Sequence, residues 1–241
     1  MYEVGVTCRA KTANEAWQFW FDKLKEQADK GMLDSSRDGA VVGEFLNAVT
    51  VIEDPTRNIV SSPDRKMPMR YAVGELLWYL SGSNKLSDIM TFSKVWERMS
   101  DDGKTVNSAY GYRIFQQFGF NQIEYVVHSL LANPNSRQAV IHIKDPQDYT
   151  EEPTKDVPCT VCMQFLLRDN KLHMTTYMRS NDVWTGFPYD VFSFTCLQIM
   201  IAFTLHVEIG TYTHVAGSLH MYQRSLKEWE EKNLHQTASA K

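Results

Sequence analysis

Apolar positions along this chain change period several times, and each change marks a predicted element. In TANEAWQFWFDKLKEQAD, residues 12–29, aromatic residues recur at helical spacing behind a Thr12/Glu15 capping box, and the run stops near Gly31. That predicts a first helix. AVVGEFLNAVTVI, residues 40–52, is rich in β-branched residues around an internal glycine, the pattern of strands that bend or bulge. Pro68 opens PMRYAVGELLWYLSG as a helix, and LSDIMTFSKVWERM predicts a second over about 86–99. NQIEYVVHSLLANP reads as another, ended by Pro134.

The second half turns to shorter alternating runs. QAVIHI, VCMQFLLRDN and KLHMTTYMRS predict strands, the last two a hairpin about Asp169-Asn170. After Pro188, YDVFSFTCLQIMIAFTLHVE is apolar nearly all round, as a helix buried in the middle of a domain should be. A strand around 209–216 and an amphipathic terminal helix from about 220 complete an α+β pattern with a largely antiparallel sheet. No repeat, low-complexity segment or Pro/Gly/Ser-rich linker splits the chain, so one domain over 1–241 is expected.

Composition narrows the function classes. Of 241 residues 43% are hydrophobic and 12% aromatic, enough for a substantial core and against disorder. A formal net charge of −4, with both signs mixed along the length, argues against duplex nucleic acid as a partner. The start lacks a basic segment followed by an apolar one, and the apolar stretches are broken by Ser, Thr, Gln or His short of a membrane span. A cytoplasmic, unexported protein is the expectation. Cys8, Cys159, Cys162 and Cys196 are too few and scattered for a disulfide scaffold, which fits reduced thiols.

Several residues could carry chemistry. Cys159 and Cys162 have CxxC spacing, but a zinc site needs two more ligands that the other cysteines do not supply as a pair, and a redox pair would normally open a helix. Both could simply be buried thiols. They differ in placement: Cys159 follows Pro158 at the mouth of a strand, where Arg179 from the hairpin partner could activate it as a nucleophile, and Cys162 lies inside on the opposite pleat face. Glu75 sits on an apolar helix face; composition favours a surface carboxylate, whereas a functional one would show raised proton affinity. Tyr110, His220 and Tyr222 offer polar tips, the last two on one side of a strand-to-helix junction and suited to a sugar. Arg37, Arg137 and Arg179 are individually ordinary surface charges and together would suit a phosphate.

GELLWYL, NPNSRQ, PCTVCMQF, YMRSNDVWTGFPYDVFSF and AGSLHMYQRS, in that order from about Ser36 to about Ser225, resemble the thymidylate synthase superfamily, most closely its phage-type deoxycytidylate hydroxymethylase branch. The resemblance implies a mixed, mainly antiparallel sheet with helices, one sheet face forming a homodimer interface. It implies Cys159 as nucleophile, Glu75, Asp190, His220 and Tyr110 as further catalytic residues, and no metal. Arg37, Arg137, Arg179, Ser180, Asp182, Gln164 and Tyr222 would bind the nucleotide, and Trp96, Asp182 and Gly186 the co-substrate 5,10-methylenetetrahydrofolate. Two subunits would share each site, Arg137 crossing to the partner's phosphate; the usual second arginine there is Gln138, and the usual His after the nucleophile is Thr160.

Asp190 carries the substrate assignment. Synthases acting on dUMP have asparagine in a G-x-P-F-N motif, and this chain has GFPYD. An amide donates to the uracil 4-oxygen and accepts from N3–H, whereas cytosine reverses both partners and suits a carboxyl. A helix-start carboxylate favoured by the macrodipole is the plainer alternative. Met99 stands where the second Trp of a W-x-x-W segment would fall, and the tail HQTASAK departs from the synthase terminus, so weaker water exclusion favours hydroxymethylation over methylation. A catalytically idle nucleotide-binding relative is the alternative of a different class.

Overall fold

In the computed structural model, which describes residues 3–28, 39–148 and 154–239, the chain begins β1 (Glu3–Val4), β2 (Thr7–Ala10), α1 (Ala13–Ala28), β3 (Val41–Ile52) and α2 (Met69–Ser81). It continues α3 (Leu86–Met90), α4 (Val95–Met99), α5 (Tyr110–Tyr112), a π-helical turn at Arg113–Gln117, α6 (Gln122–Ala132), β4 (Val140–His142) and a 3-10 turn at Pro146–Asp148. The last part runs β5 (Thr160–Arg168), β6 (Lys171–Met178), β7 (Asn181–Asp182), α7 (Phe187–Thr204), β8 (Glu208–Tyr222) and α8 (Gln223–Ser239).

The strands form one mixed sheet in the order β1-β3-β8-β6-β5-β4, with β2 beside β3 and β7 beside β8. Pairs β3–β8, β5–β6 and β4–β5 are antiparallel, and β1 and β2 on β3, and β6 and β7 on β8, are parallel. The β5–β6 hairpin turns on Asp169 and Asn170 at φ 49° and 58°, the paired left-handed residues of a tight two-residue turn. Parallel β6 and β8 need a crossover, and α7 supplies it. The internal glycine of β3 marks a bend, with a register shift between Val41 and Gly43.

Along the strands, alternate residues separate two faces. Thr50, Met163, Phe165, Met174, Tyr212 and His214 are buried, while Val49, Val51, Cys162, Leu166, Thr175, Thr213 and Val215 are half-buried and Tyr177 is exposed. By length and composition α7 could cross a membrane, but 61% of it is buried inside the fold, as a core helix is. At the start of α1 the Thr12 hydroxyl accepts the Glu15 N–H at 3.2 Å, and Glu15 in turn takes the N–H of Lys11 at 2.9 Å.

The structure corrects two boundaries. The single helix expected over 86–99 is two short ones, because the chain between them turns Phe92 under α2, where a side chain on Gly74 would lie 2.3 Å from its ring. The last strand runs to Tyr222 rather than 216, paired with β3 along most of its length.

Candidate active site

A cleft of about 520 Å³ opens beside the ends of β6, β7 and β8, walled by α4, α5, the segment before β5 and the first turn of α7. It brings together Cys159, Tyr110, Arg179, Ser180, Asp182, Gly186, Asp190, His220, Tyr222 and Trp96, residues far apart in sequence.

Cys159 immediately precedes β5. Its carbonyl accepts the Arg179 N–H at 2.8 Å, and the Arg179 guanidinium donates to the carbonyls of Pro158 (3.1 Å) and Val157 (2.9 Å). The Tyr110 hydroxyl accepts the N–H of Thr160 at 3.2 Å. The thiol is therefore carried on backbone tied from both sides. Tyr110 reaches this point because Gly111 lies against α2, where a Cβ would fall 2.0 Å from the Tyr79 carbonyl oxygen. Burial first, then the nearby Cys159 and Asp190, push the Tyr110 hydroxyl far above its usual range, so it stays protonated.

Two carboxyls interact electrostatically here, Asp190 lining the cleft and Glu75 lying behind it. Glu75 is 5% exposed, not the surface carboxylate that composition favours, and its Oε1 accepts the Tyr71 O–H at 2.7 Å. Burial pushes its pKa up to about 7 against the lowering effect of that bond. Asp190, in the first turn of α7, is pushed up to about 8, by burial and then by the charge of Glu75, with the Asn181 hydrogen bond (2.8 Å) lowering it. Desolvation here outweighs the favourable helix-start position.

Asp182 spends both oxygens on its own loop: Oδ1 accepts the Trp184 N–H at 2.9 Å and Oδ2 the Thr185 hydroxyl. It shapes the turn into α7. His220 and Tyr222, two apart on β8, meet edge to face at 4.9 Å, and His220 Nδ1 lies 3.3 Å from the Ser218 hydroxyl, which donates to Glu44. On α4, Trp96 packs edge-on against Trp78 at 5.2 Å and donates its Nε1–H to the Tyr71 hydroxyl at 3.2 Å. Val95 and Met99 extend this apolar wall.

Other expected residues lie elsewhere. Gln164 stands on the half-buried sheet face and donates to the Arg137 carbonyl at 3.0 Å, and Arg137 is exposed; neither lines the cleft. Arg37 falls outside the described residues. The cleft also holds Tyr71, Asp156, Asn181 and Arg224, which the sequence reading passed over. Tyr71 sits four residues before Glu75 on one helix face, a spacing that could have found it. Asp156, in the segment before β5, is 4% exposed, with Oδ2 accepting the Ser108 N–H at 2.7 Å, and nothing local in the sequence marks it. Among the described residues no group of three or more His, Cys, Asp or Glu side chains is placed to hold a metal.

A thiol, an arginine and two carboxyls of raised proton affinity gathered about one cleft are the parts that covalent attack with proton supply would require. Comparison gives the family. The thymidylate synthase family model matches residues 18–240. The chain is 30% identical over 217 residues to a deoxyuridylate hydroxymethyltransferase of Bacillus phage SP01, covering 85% of this chain and 56% of that protein. It is 29% identical over 170 residues to thymidylate synthase 1 of Bacillus subtilis (strain 168), covering 67% and 60%. The thymidylate synthase of T4 phage superposes with a TM-score of 0.71 at 21% identity, over 88% of this chain and 79% of that one, a likeness of fold. The chain belongs to the thymidylate synthase family, and it spans 56% of the length of the SP01 relative.

Proposed function

We propose that this chain transfers a one-carbon unit to C5 of a pyrimidine nucleotide, and that it hydroxymethylates dCMP with 5,10-methylenetetrahydrofolate and water. Asp190 carries this reading. Cytosine offers a 4-amino donor and a bare N3, and a carboxyl that keeps its proton to about pH 8 can accept from one and donate to the other. Arg179 and Ser180 at the cleft mouth suit the phosphate, and His220 and Tyr222 the sugar.

The residues present fit the folate: Val95, Trp96 and Met99 make an apolar wall for a flat heterocycle, with the Trp96 indole held by Trp78 and Tyr71. When bound, it supplies a carbon at the oxidation level of formaldehyde. The remaining work falls to this chain. Cys159 thiolate adds to C6, electrons move to C5, and Asp190 gives its proton toward N3. Once C5 has taken the carbon and lost its hydrogen as a proton, and tetrahydrofolate has left with the electrons of its bond to that carbon, the base carries an exocyclic methylene. Water steered by Glu75 and His220 adds to that methylene, and departure of Cys159 from C6 restores the ring double bond. Met99, in place of a second tryptophan, leaves this wall less bulky and supports access of water.

The test is mass spectrometry of products from dCMP, CMP and dUMP incubated with methylenetetrahydrofolate. We expect 5-hydroxymethyl-dCMP and tetrahydrofolate. Dihydrofolate formed in step with a 5-methyl product would reject hydroxymethylation, and preferential turnover of dUMP would reject the role of Asp190. A second reading, hydroxymethylation of dUMP, is favoured by the activity named for the SP01 relative. A non-catalytic nucleotide binder is distinguished by C5 tritium exchange: an enzyme exchanges and Cys159→Ala does not, whereas a binder never does. The proposed assembly is a homodimer with shared sites, Arg137 serving the partner's phosphate.

A further inference from the structure

Asp190 is the near end of a row of three more polar side chains. Its Oδ2 accepts Asn181 Nδ2–H at 2.8 Å, Asn181 Oδ1 lies 3.1 Å from His214 Nε2, and His214 Nδ1 lies 2.9 Å from the Tyr212 hydroxyl. Asn181, His214 and Tyr212 are 3%, 1% and 0% exposed, so water does not compete within the row. With the Asn181 amide in this orientation the protons of the row follow one direction. Asn181 Oδ1 can only accept, so Nε2 carries the imidazole proton. Burial lowers the His214 pKa to about 3 and keeps the ring neutral, so Nδ1 is bare and accepts the Tyr212 O–H. Every donor points toward Asp190.

That direction matters because a neutral carboxyl alone does not tell two pyrimidines apart. With its proton on one oxygen it donates to N3 and accepts from a 4-amino group; with the proton on the other it accepts from N3–H and donates to a 4-oxygen. We propose that the Asn181–His214–Tyr212 row sets base specificity, occupying Asp190 Oδ2 as an acceptor and confining the carboxyl proton to Oδ1, so that the cleft takes one pyrimidine pattern and refuses the other. The proposal rests on Asp190 reading the base, whichever base that is. Gly186 leaves room for the contact: a Cβ there would fall 2.9 Å from Asn181 Nδ2 and 3.3 Å from Asp190 Oδ2. Asn181, His214 and Tyr212 are positioning residues, acting through Asp190.

Titration calorimetry of dCMP and dUMP against the full chain reads the ratio of their Kd values without requiring turnover. In Asn181→Ala and His214→Leu the ratio falls about tenfold or more, through tighter binding of the nucleotide that the wild type refuses. A purely structural defect would weaken both nucleotides together. His214→Gln, whose amide nitrogen reaches the Nε2 position, keeps the ratio. A ratio that changes by less than about tenfold in both disruptive variants overturns the proposal, however far the affinities fall together; so does equal affinity of the wild type for both nucleotides. The His214 pair decides should Asn181→Ala fail to fold. Wild-type preference for dUMP would remove the cytosine reading and leave this proposal to the variants, and binding of neither nucleotide would overturn both.

Discussion

Glu75 and Asp190 hold their protons for different reasons. Burial alone raises Glu75, to about 7, whereas Asp190 is raised by burial and by Glu75, to about 8. As pH rises Glu75 ionises first, and its charge then holds the proton on Asp190. An acid whose pKa rises on folding binds more protons folded than unfolded, so its contribution to stability is lost as pH climbs from the unfolded value, 4.5, through the folded one, about 7. Glu75→Gln removes that liability and keeps an acceptor for the Tyr71 O–H. In urea unfolding the variant should be the more stable above pH 7, by up to about 3 kcal/mol, and the two proteins should converge below pH 4.5. A stability gap that does not vary with pH would sink this account of Glu75.

The elements that carry the site are held by contacts of a different kind. Arg113, in the π-helical turn after α5, donates to Asp148 at 2.9 and 2.6 Å and to the carbonyls of Asn107 and Ile143, each at 2.9 Å. The pair is 2% and 3% exposed, and it locks the turn that follows Tyr110 to the turn at Pro146–Asp148. Burial pushes the Asp148 carboxyl up, but the Arg113 and Asp145 N–H hydrogen bonds together with the charges of Arg113 and Lys144 outweigh it, and the net shift is downward. Arg113→Met leaves a buried carboxylate without its main partner and should cost about 3–5 kcal/mol in urea unfolding, with Arg113→Met/Asp148→Asn recovering part of the loss. No recovery in the double variant would point to lost packing instead. None of this was legible in the sequence, where Arg113 follows YGY like any surface arginine. What could be read was local: the capping box of α1, the Asp169-Asn170 hairpin and the apolar run of α7 depend on neighbours in the chain. The break between α3 and α4 depends on Phe92 meeting Gly74, and β2 on its pairing with β3, so periodicity could not show them. The site divides the same way. Motif residues at element ends, such as Cys159, Arg179, Asp190 and His220, could be named, but His214 and Tyr212 look like ordinary inward strand residues until the fold puts them behind Asn181.

At the scale of the molecule, the sheet leaves one face with Val49, Val51, Cys162, Leu166, Thr175, Thr213 and Val215 half-buried, and Tyr177 39% exposed. β-Branched and aromatic groups gathered on one sheet face are what a second copy would cover. Gln164 stands on that face and holds the Arg137 carbonyl, so the segment carrying Arg137 borders the open face and not its own cleft. The proposed homodimer therefore divides two necessary groups between chains: Cys159 acts in its own cleft and Arg137 in the partner's. Arg137→Ala and Cys159→Ala should each be nearly inactive as homodimers. Co-expressed with different tags and purified on both, they form heterodimers in which one cleft has both groups and the other has neither, so about half of the wild-type activity per subunit should return. Sedimentation equilibrium of the same sample reports whether the chains pair at all. Paired chains with no regained activity would place Arg137 outside the partner's cleft, and monomers would remove the shared site altogether.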